Sequence, residues 1–239
     1  MAVSFRITFI VSILFLAAAT RPATAGVMVN NLTEAASLLV PISGPLGNSE
    51  QWVAVRFSTG AGTWTVDGMT GRFAQTSFNP TGIVVDIQGD GIGGLTPDGT
   101  TLGSLSPVIN IRTEDDYGFN PTATISLMAN TSYWLVARPT QGNSLFDWRT
   151  TDSGIDSGIS GWSIDDISLL SSDSGDSWSE DQPFVPKFSL SATSQAAAVP
   201  EPSTLVLLSG VFTCLAVKRR LRKRRQSMPD IGEERTSLT

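Results

Sequence analysis

Near its C-terminus the chain carries a stretch that a water-soluble core cannot absorb: thirteen uncharged residues, 205–217, followed at once by seven cations in the eight positions 218–225. The cations are Lys218, Arg219, Arg220, Arg222, Lys223, Arg224 and Arg225. A buried soluble helix could not end on such a cluster without a large desolvation cost. A helix of thirteen residues rises only about 20 Å against a bilayer core of ~30 Å, but snorkelling Lys and Arg stems and local bilayer thinning extend its reach. The segment therefore reads as a single transmembrane helix over 205–217, its basic flank held in the cytoplasm. Just upstream stand Val199, Pro200, Glu201 and Pro202. The prolines bar a helix before them, whereas Pro202 fits the first turn of one running downstream.

The N-terminus supplies the complementary signal. Residues 1–25 read as a secretory signal peptide, with Arg6 in the n-region, an apolar h-region over 7–19, and Ala23 and Ala25 framing an A-x-A cleavage site before Gly26. A signal peptide followed by a stop-transfer segment exports everything between them and leaves residues 226–239 as a cytoplasmic tail. That exported part holds eighteen Asp or Glu against six Lys or Arg, a net of −12. Such a surface repels nucleic acid and favours divalent or cationic partners, so no nucleic-acid partner is expected. The single cysteine, Cys214, lies in the apolar run, so the exported domain has no disulfide and relies on its core.

The order Val199-Pro200-Glu201-Pro202, short apolar helix, Arg-rich end resembles the PEP-CTERM sorting signal of exopolysaccharide-producing Gram-negative bacteria, over residues 199–225. The resemblance implies that Pro200-Glu201-Pro202 is recognised by an exosortase, a membrane enzyme thought to remove the anchor. Members of that family commonly end at the basic cluster, whereas here a tail follows it.

Between the two terminal signals the pattern is all-β. Val53, Val55 and Phe57 alternate with small or polar neighbours, residues 63–66 are β-branched and aromatic, and 82–87 end at the glycine-rich turn 89–94. Further strands are expected over 122–127, 132–137, 144–148 and 162–169. Asn130-Thr131 makes a tight connection, which predicts a hairpin between 123–127 and 133–137. Only 31–40 has helix-like composition, with Asn31 or Thr33 as cap and Pro41 as stop. Many short strands point to a β-sandwich, jelly-roll-like, over 26–172. The Ser-, Asp- and Ala-rich residues 173–198 read as a flexible linker, with 184–188 as a possible last edge strand.

Within this region Phe57-Ser58-Thr59-Gly60, the turn-rich 98–102, the stretch 127–136 and Gly161-Trp162-Ser163-Ile164 together resemble the choice-of-anchor R domain. That resemblance implies an extracellular β-sandwich and names no catalytic residue.

The chain contains no histidine, which excludes Ser-His-Asp and Cys-His nucleophile systems and His-ligated zinc. No phosphate-binding glycine motif opens a helix. Paired carboxylates for glycoside chemistry need a facing separation of ~5–9 Å; Asp165-Asp166 and Glu114-Asp115-Asp116 are the candidates, but adjacent strand residues point to opposite faces. Calcium could use Asp86 and Asp90 beside the glycine turn, or Asp173, Asp176, Glu180 and Asp181, although none fits an EF-hand loop. No other cofactor is indicated. Of six tryptophans, Trp134 and Trp162 sit in strand-like alternation and read as core, whereas Trp178 stands among Ser and acidic neighbours as a candidate glycan contact.

Taken together, the sequence describes a non-enzymatic exported protein: first anchored in the inner membrane, then delivered to the cell envelope or extracellular matrix, where it serves a structural or adhesive role. One alternative is a permanently anchored, lectin-like module that binds polysaccharide. A carboxylate-dependent glycosidase is the other.

Overall fold

The computed structural model describes residues 25–44, 50–76, 82–91, 93–141, 144–153, 156–179 and 182–195. They belong to one compact unit, Pro22–Ala196. Ala23, the sorting motif, the apolar run 205–217 and its basic flank lie outside the described residues. Among the described residues there is no helix, and hence none able to cross a membrane.

Fourteen strands follow one another: β1 (Ala25–Asn30), β2 (Leu39–Ser43), β3 (Trp52–Ser58), β4 (Thr63–Gln75), β5 (Ile83–Asp90), β6 (Pro97–Pro107) and β7 (Asp115–Pro121). Then come β8 (Ser126–Leu127), β9 (Ser132–Pro139), β10 (Leu145–Thr151), β11 (Ser157–Gly158), β12 (Ser163–Ser171), β13 (Val185–Pro186) and β14 (Phe188–Gln195). All pair antiparallel in one continuous sheet ordered β11-β1-β14-β4-β7-β6-β5-β9-β3-β12, with β10 bridging β2, β4 and β13, and β8 lying against β4. The sheet curls until β12 approaches β1, nearly closing a barrel. Closure of this kind removes the exposed edges that make β-proteins aggregate.

The alternation predicted for β3 positions its core: Val53, Val55 and Phe57 face inward with Tyr133, Leu135 and Ala137 of β9 and Val85 and Ile87 of β5. Inward burial of each such aliphatic side chain contributes about 1.5–3 kcal/mol. Phe73 stacks on Trp148 at 4.9 Å and meets Phe119 at 5.2 Å, filling the seam where β4, β7 and β10 converge. Trp134 and Trp162 are both buried. They serve different layers, because Trp162 joins the inner core whereas Trp134 belongs to a second cluster on the opposite face.

Four expectations are corrected. No helix forms over 31–40: Leu38 and Leu39 stay exposed and no apolar stripe exists to hold a helix down. Asn31 does not cap; its buried amide accepts from Phe188 N at 2.7 Å and donates to Pro186 O at 3.1 Å, splicing β1 to the β13–β14 junction. Pro41 falls in β2, whose ladder is with β10 and whose other edge is bridged to Gln51 at Ser43, so a missing N–H at Pro41 is tolerated. The hairpin between 123–127 and 133–137 is also absent. β8 pairs with β4, while β9 is inserted between β3 and β5, and Asn130 makes the crossing with φ of 49°.

The linker expected over 173–198 is structured through Gln195, so the domain runs past 172. β14 is interior, between β1 and β4, with Phe188, Leu190 and Ala192 fully buried. Its predecessor, residues 172–179, is a strap along the free edge of β12, where Ser179 N donates to Leu170 O at 2.7 Å; beyond it Gln182 N donates to Ser168 O at 2.8 Å. Serine-rich composition concealed both, because an alternating Ser/apolar strand and a disordered serine tract share their residue types. β6 and β7, rich in Pro, Asp and Gly, carried no strand signal either.

A candidate binding face and loop end

The outer face of β5, β9, β3 and β12 is built in rows fixed by register. Gln88, Trp134 and Arg56 lie directly across from one another, as do Asp86, Val136, Ala54 and Leu169. Ala54, Trp134, Val136 and Leu169 form the second apolar cluster, against which Trp52, Ile167 and Trp178 pack. Trp178 is therefore half-buried, pinning the strap to the sheet. Gly175, at φ of 88°, sits so close to Trp52 that a Cβ there would lie 2.9 Å from the indole.

Around this cluster the charges are paired. Asp90 receives the Arg56 fork, Nη2 at 2.7 Å and Nε at 3.2 Å, and also the Trp134 indole N–H at 2.6 Å. Arg56 Nη1 reaches Asp165 at 3.4 Å, and Asp165 accepts from Ser58 at 3.0 Å and from Ser163 at 3.1 Å. The hydrogen bond to Asp90, with the charges of Asp90 and Asp165, raises the Arg56 pKa further above its ordinary value despite burial. Asp86 is buried between Arg138 Nε at 2.5 Å and Ser104 Oγ at 2.6 Å, and Arg138 lies 5.7 Å above the Trp52 ring.

The acidic residues singled out in the sequence are thus dispersed among partners. Glu114 pairs with Arg149, and Asp116 with Arg72 at 2.7 Å, on the β4–β7–β10 seam, whereas Asp165 belongs to the β3–β12 face. The geometry does not join these groups into a facing carboxylate pair. Asp173 caps its own turn, accepting from Ser171 Oγ at 2.7 Å and Ser177 N at 2.9 Å, and the Ser177 bonds hold its carboxyl below the usual range. Among the described residues no group of three or more acidic, His or Cys side chains is placed to hold a metal; Glu180 and Asp181 lie outside them.

At one end of the sheet three stretches noted in the sequence, 57–60, 127–134 and 161–164, come together. Thr59 N donates to Thr131 O at 3.0 Å, Thr59 Oγ1 to Met128 O at 2.7 Å, Asn130 N to Gly60 O at 3.0 Å, and Met128 N to the Tyr133 hydroxyl at 2.8 Å. Trp162 stacks on Phe57 at 6.2 Å and meets Trp64 edge-on at 5.4 Å. Gly60 is required here, since a Cβ would stand 2.9 Å from the Trp162 ring. The indole N–H groups of Trp64 and Trp162 are buried without an acceptor among the described residues. No sequence signal announces that pair. The chain matches no known family, and no curated protein is significantly similar to it.

Proposed function

We propose that the protein is an exported envelope protein, tethered by residues 205–217 and then processed by an exosortase at Pro200-Glu201-Pro202, with a structural or adhesive role in an extracellular polysaccharide matrix. The observation that carries this reading is the uninterrupted order of proline motif, apolar run and basic cluster behind a secretory signal. The folded unit is compatible with it. A curled antiparallel sheet, which we read as a jelly-roll-like sandwich, is held without disulfides by buried aromatics and aliphatics, and β1 would lose only its first residue if cleavage fell after Ala25. The acidic groups of the outer face are occupied by arginines and hydroxyls, an arrangement suited to a passive module. The test is C-terminal peptide mapping of the surface form from the native host: a C-terminus before residue 205 is expected, and retention of 205–239 overturns the processing step.

A second reading, a permanently anchored carbohydrate-binding module, draws on the Trp64–Trp162 pair, whose two buried N–H donors have no acceptor among the described residues and would meet neutral sugar oxygens only when the loops around them part. A glycan array with Trp64→Phe beside Trp178→Ala separates that end from the outer face. Binding lost in neither variant overturns both placements.

A further inference from the structure

The connections at one end of the domain carry no charge; the nearest carboxylates in sequence are Asp90, held by Arg56, and Asp98 at the start of β6. Four connections meet at this end, 59–62, the described residues of 91–96, 128–131 and 159–162, and none of them holds a charged side chain. Register places them together: Ser58 lies opposite Ser132, Gly89 opposite Tyr133, and Trp64 opposite Leu127, while Gly161 abuts Gly60. The connections at the opposite end carry Glu34, Glu50, Arg112, Glu114, Asp173 and Asp176. At the tips of the uncharged loops apolar side chains stand out into solvent, Leu95 and Met128 each 67% exposed and Ile159 39%.

The chain also leaves the fold here. Gln195, the last residue of β14, pairs with Thr63 at the first residue of β4. From Gln195 to Leu205 there are ten residue steps, at most about 35 Å when fully extended.

We propose that this uncharged loop end rests on the zwitterionic surface of the bilayer, with Leu95, Met128 and Ile159 as its contacts. The inference depends on the reading of 205–217 as a membrane segment. An acidic body is repelled by anionic headgroups, so the end whose loop tips carry no charge is the one that can approach a bilayer at least cost, and isolated apolar tips partition into the headgroup–acyl boundary. The competing exposed pair, Val108 and Ile109, follows β6, where Val108 N bonds to Gly118, the residue opposite Thr70 of β4. That places it about seven residues along β4 from the chain exit, or roughly 23 Å.

The experiment uses the full chain carrying Cys214→Ser, with single cysteines at Leu95→Cys, Met128→Cys, Val108→Cys and Gly210→Cys, each spin-labelled in phosphatidylcholine nanodiscs. Labels at 95 and 128 should favour oxygen over an aqueous nickel relaxant, the label at 108 the reverse, and the label at 210 should be lipid-embedded. If 95 and 128 behave like 108 while 210 stays embedded, the apposed face is refuted and the tether stands. An aqueous label at 210 refutes the membrane segment and the apposed face with it.

Discussion

Arg56 and Asp90 meet side-on across two strands that are not neighbours, the guanidinium reaching from β3 over Trp134 of β9 to a carboxylate at the end of β5. Both side chains are about one-fifth exposed, at 20% and 23%, so solvent screens the pair in part. The fork orients Asp90 so that its Oδ1 also accepts the Trp134 indole N–H at 2.6 Å.

Removing the fork should therefore cost more than a surface pair would. Arg56→Leu leaves Asp90 with one donor and Asp165 with its serines, and is expected to lower unfolding stability by about 1–3 kcal/mol. Arg56→Lys keeps the charge but loses the planar two-point contact, so it should recover only part of the loss. Urea denaturation of both variants checks this, and equal stability of the two would show that geometry contributes nothing.

Trp178 tests the strap. Among the described residues 172–179, its half-buried ring is the only aromatic packed against the second cluster. Trp178→Ala should cost about 2 kcal/mol, below the roughly 3–5 kcal/mol of a fully buried aromatic. Local release should exceed global loss: limited proteolysis is expected to nick the strap in the variant under conditions where the parent stays intact, with β14 still protected.

What the sequence made legible is the part governed by period. β3, β5 and β9 each alternate or run apolar for five or more residues, β12 does so only in two short stretches around Asp165-Asp166, and each was expected within a few residues of where it lies. β6 and β7 were not, because their cross-strand partners supply the burial and, of their large apolar side chains, Leu105, Tyr117 and Phe119 are buried whereas Leu102 stays exposed. The hairpin error has a different cause. Asn130 does turn the chain, but whether the flanking strands pair with each other depends on long-range register, and β3 and β5 compete successfully for both edges of β9. Arg56–Asp90 and the Trp64–Trp162 contact span 34 and 98 positions of sequence, so neither leaves a local trace.

Asn31 offers a sharper test of a buried polar splice. It is 1% exposed, and its amide replaces two backbone partners where β13 gives way to β14. Asn31→Ala strands the Phe188 N–H and the Pro186 carbonyl out of reach of water, and the expected loss is about 2–4 kcal/mol. Asn31→Asp keeps the acceptor for Phe188 but turns the other oxygen against the Pro186 carbonyl, so it should rescue poorly at neutral pH. Thermal unfolding of the two variants reads this directly.

Lys187 gives the pH dependence. It is 1% exposed and donates from Nζ to the Glu34 carbonyl, near Arg72 and Arg149 and the carboxylates of Asp116 and Glu34. Desolvation is the largest influence and the neighbouring arginines add to it, so its pKa lies below the ordinary lysine value of 10.5. Between the folded and unfolded pKa the unfolded chain binds more protons, so this group makes stability rise with pH as the ordinary lysine value is approached from below. Glu114 acts at the other end of the scale. The Arg149 hydrogen bond holds it below 4.5, giving stability that is present above that value and lost as pH falls through the folded pKa. Lys187→Met should abolish the alkaline rise and, because the Lys187 charge also helps hold the Glu114 carboxyl down, trim the acid limb slightly, and neutral stability should shift by less than about 1 kcal/mol because an apolar isostere replaces a costly buried charge. Urea midpoints across pH for parent and variant decide it: an alkaline limb that survives the substitution would assign the rise to another group.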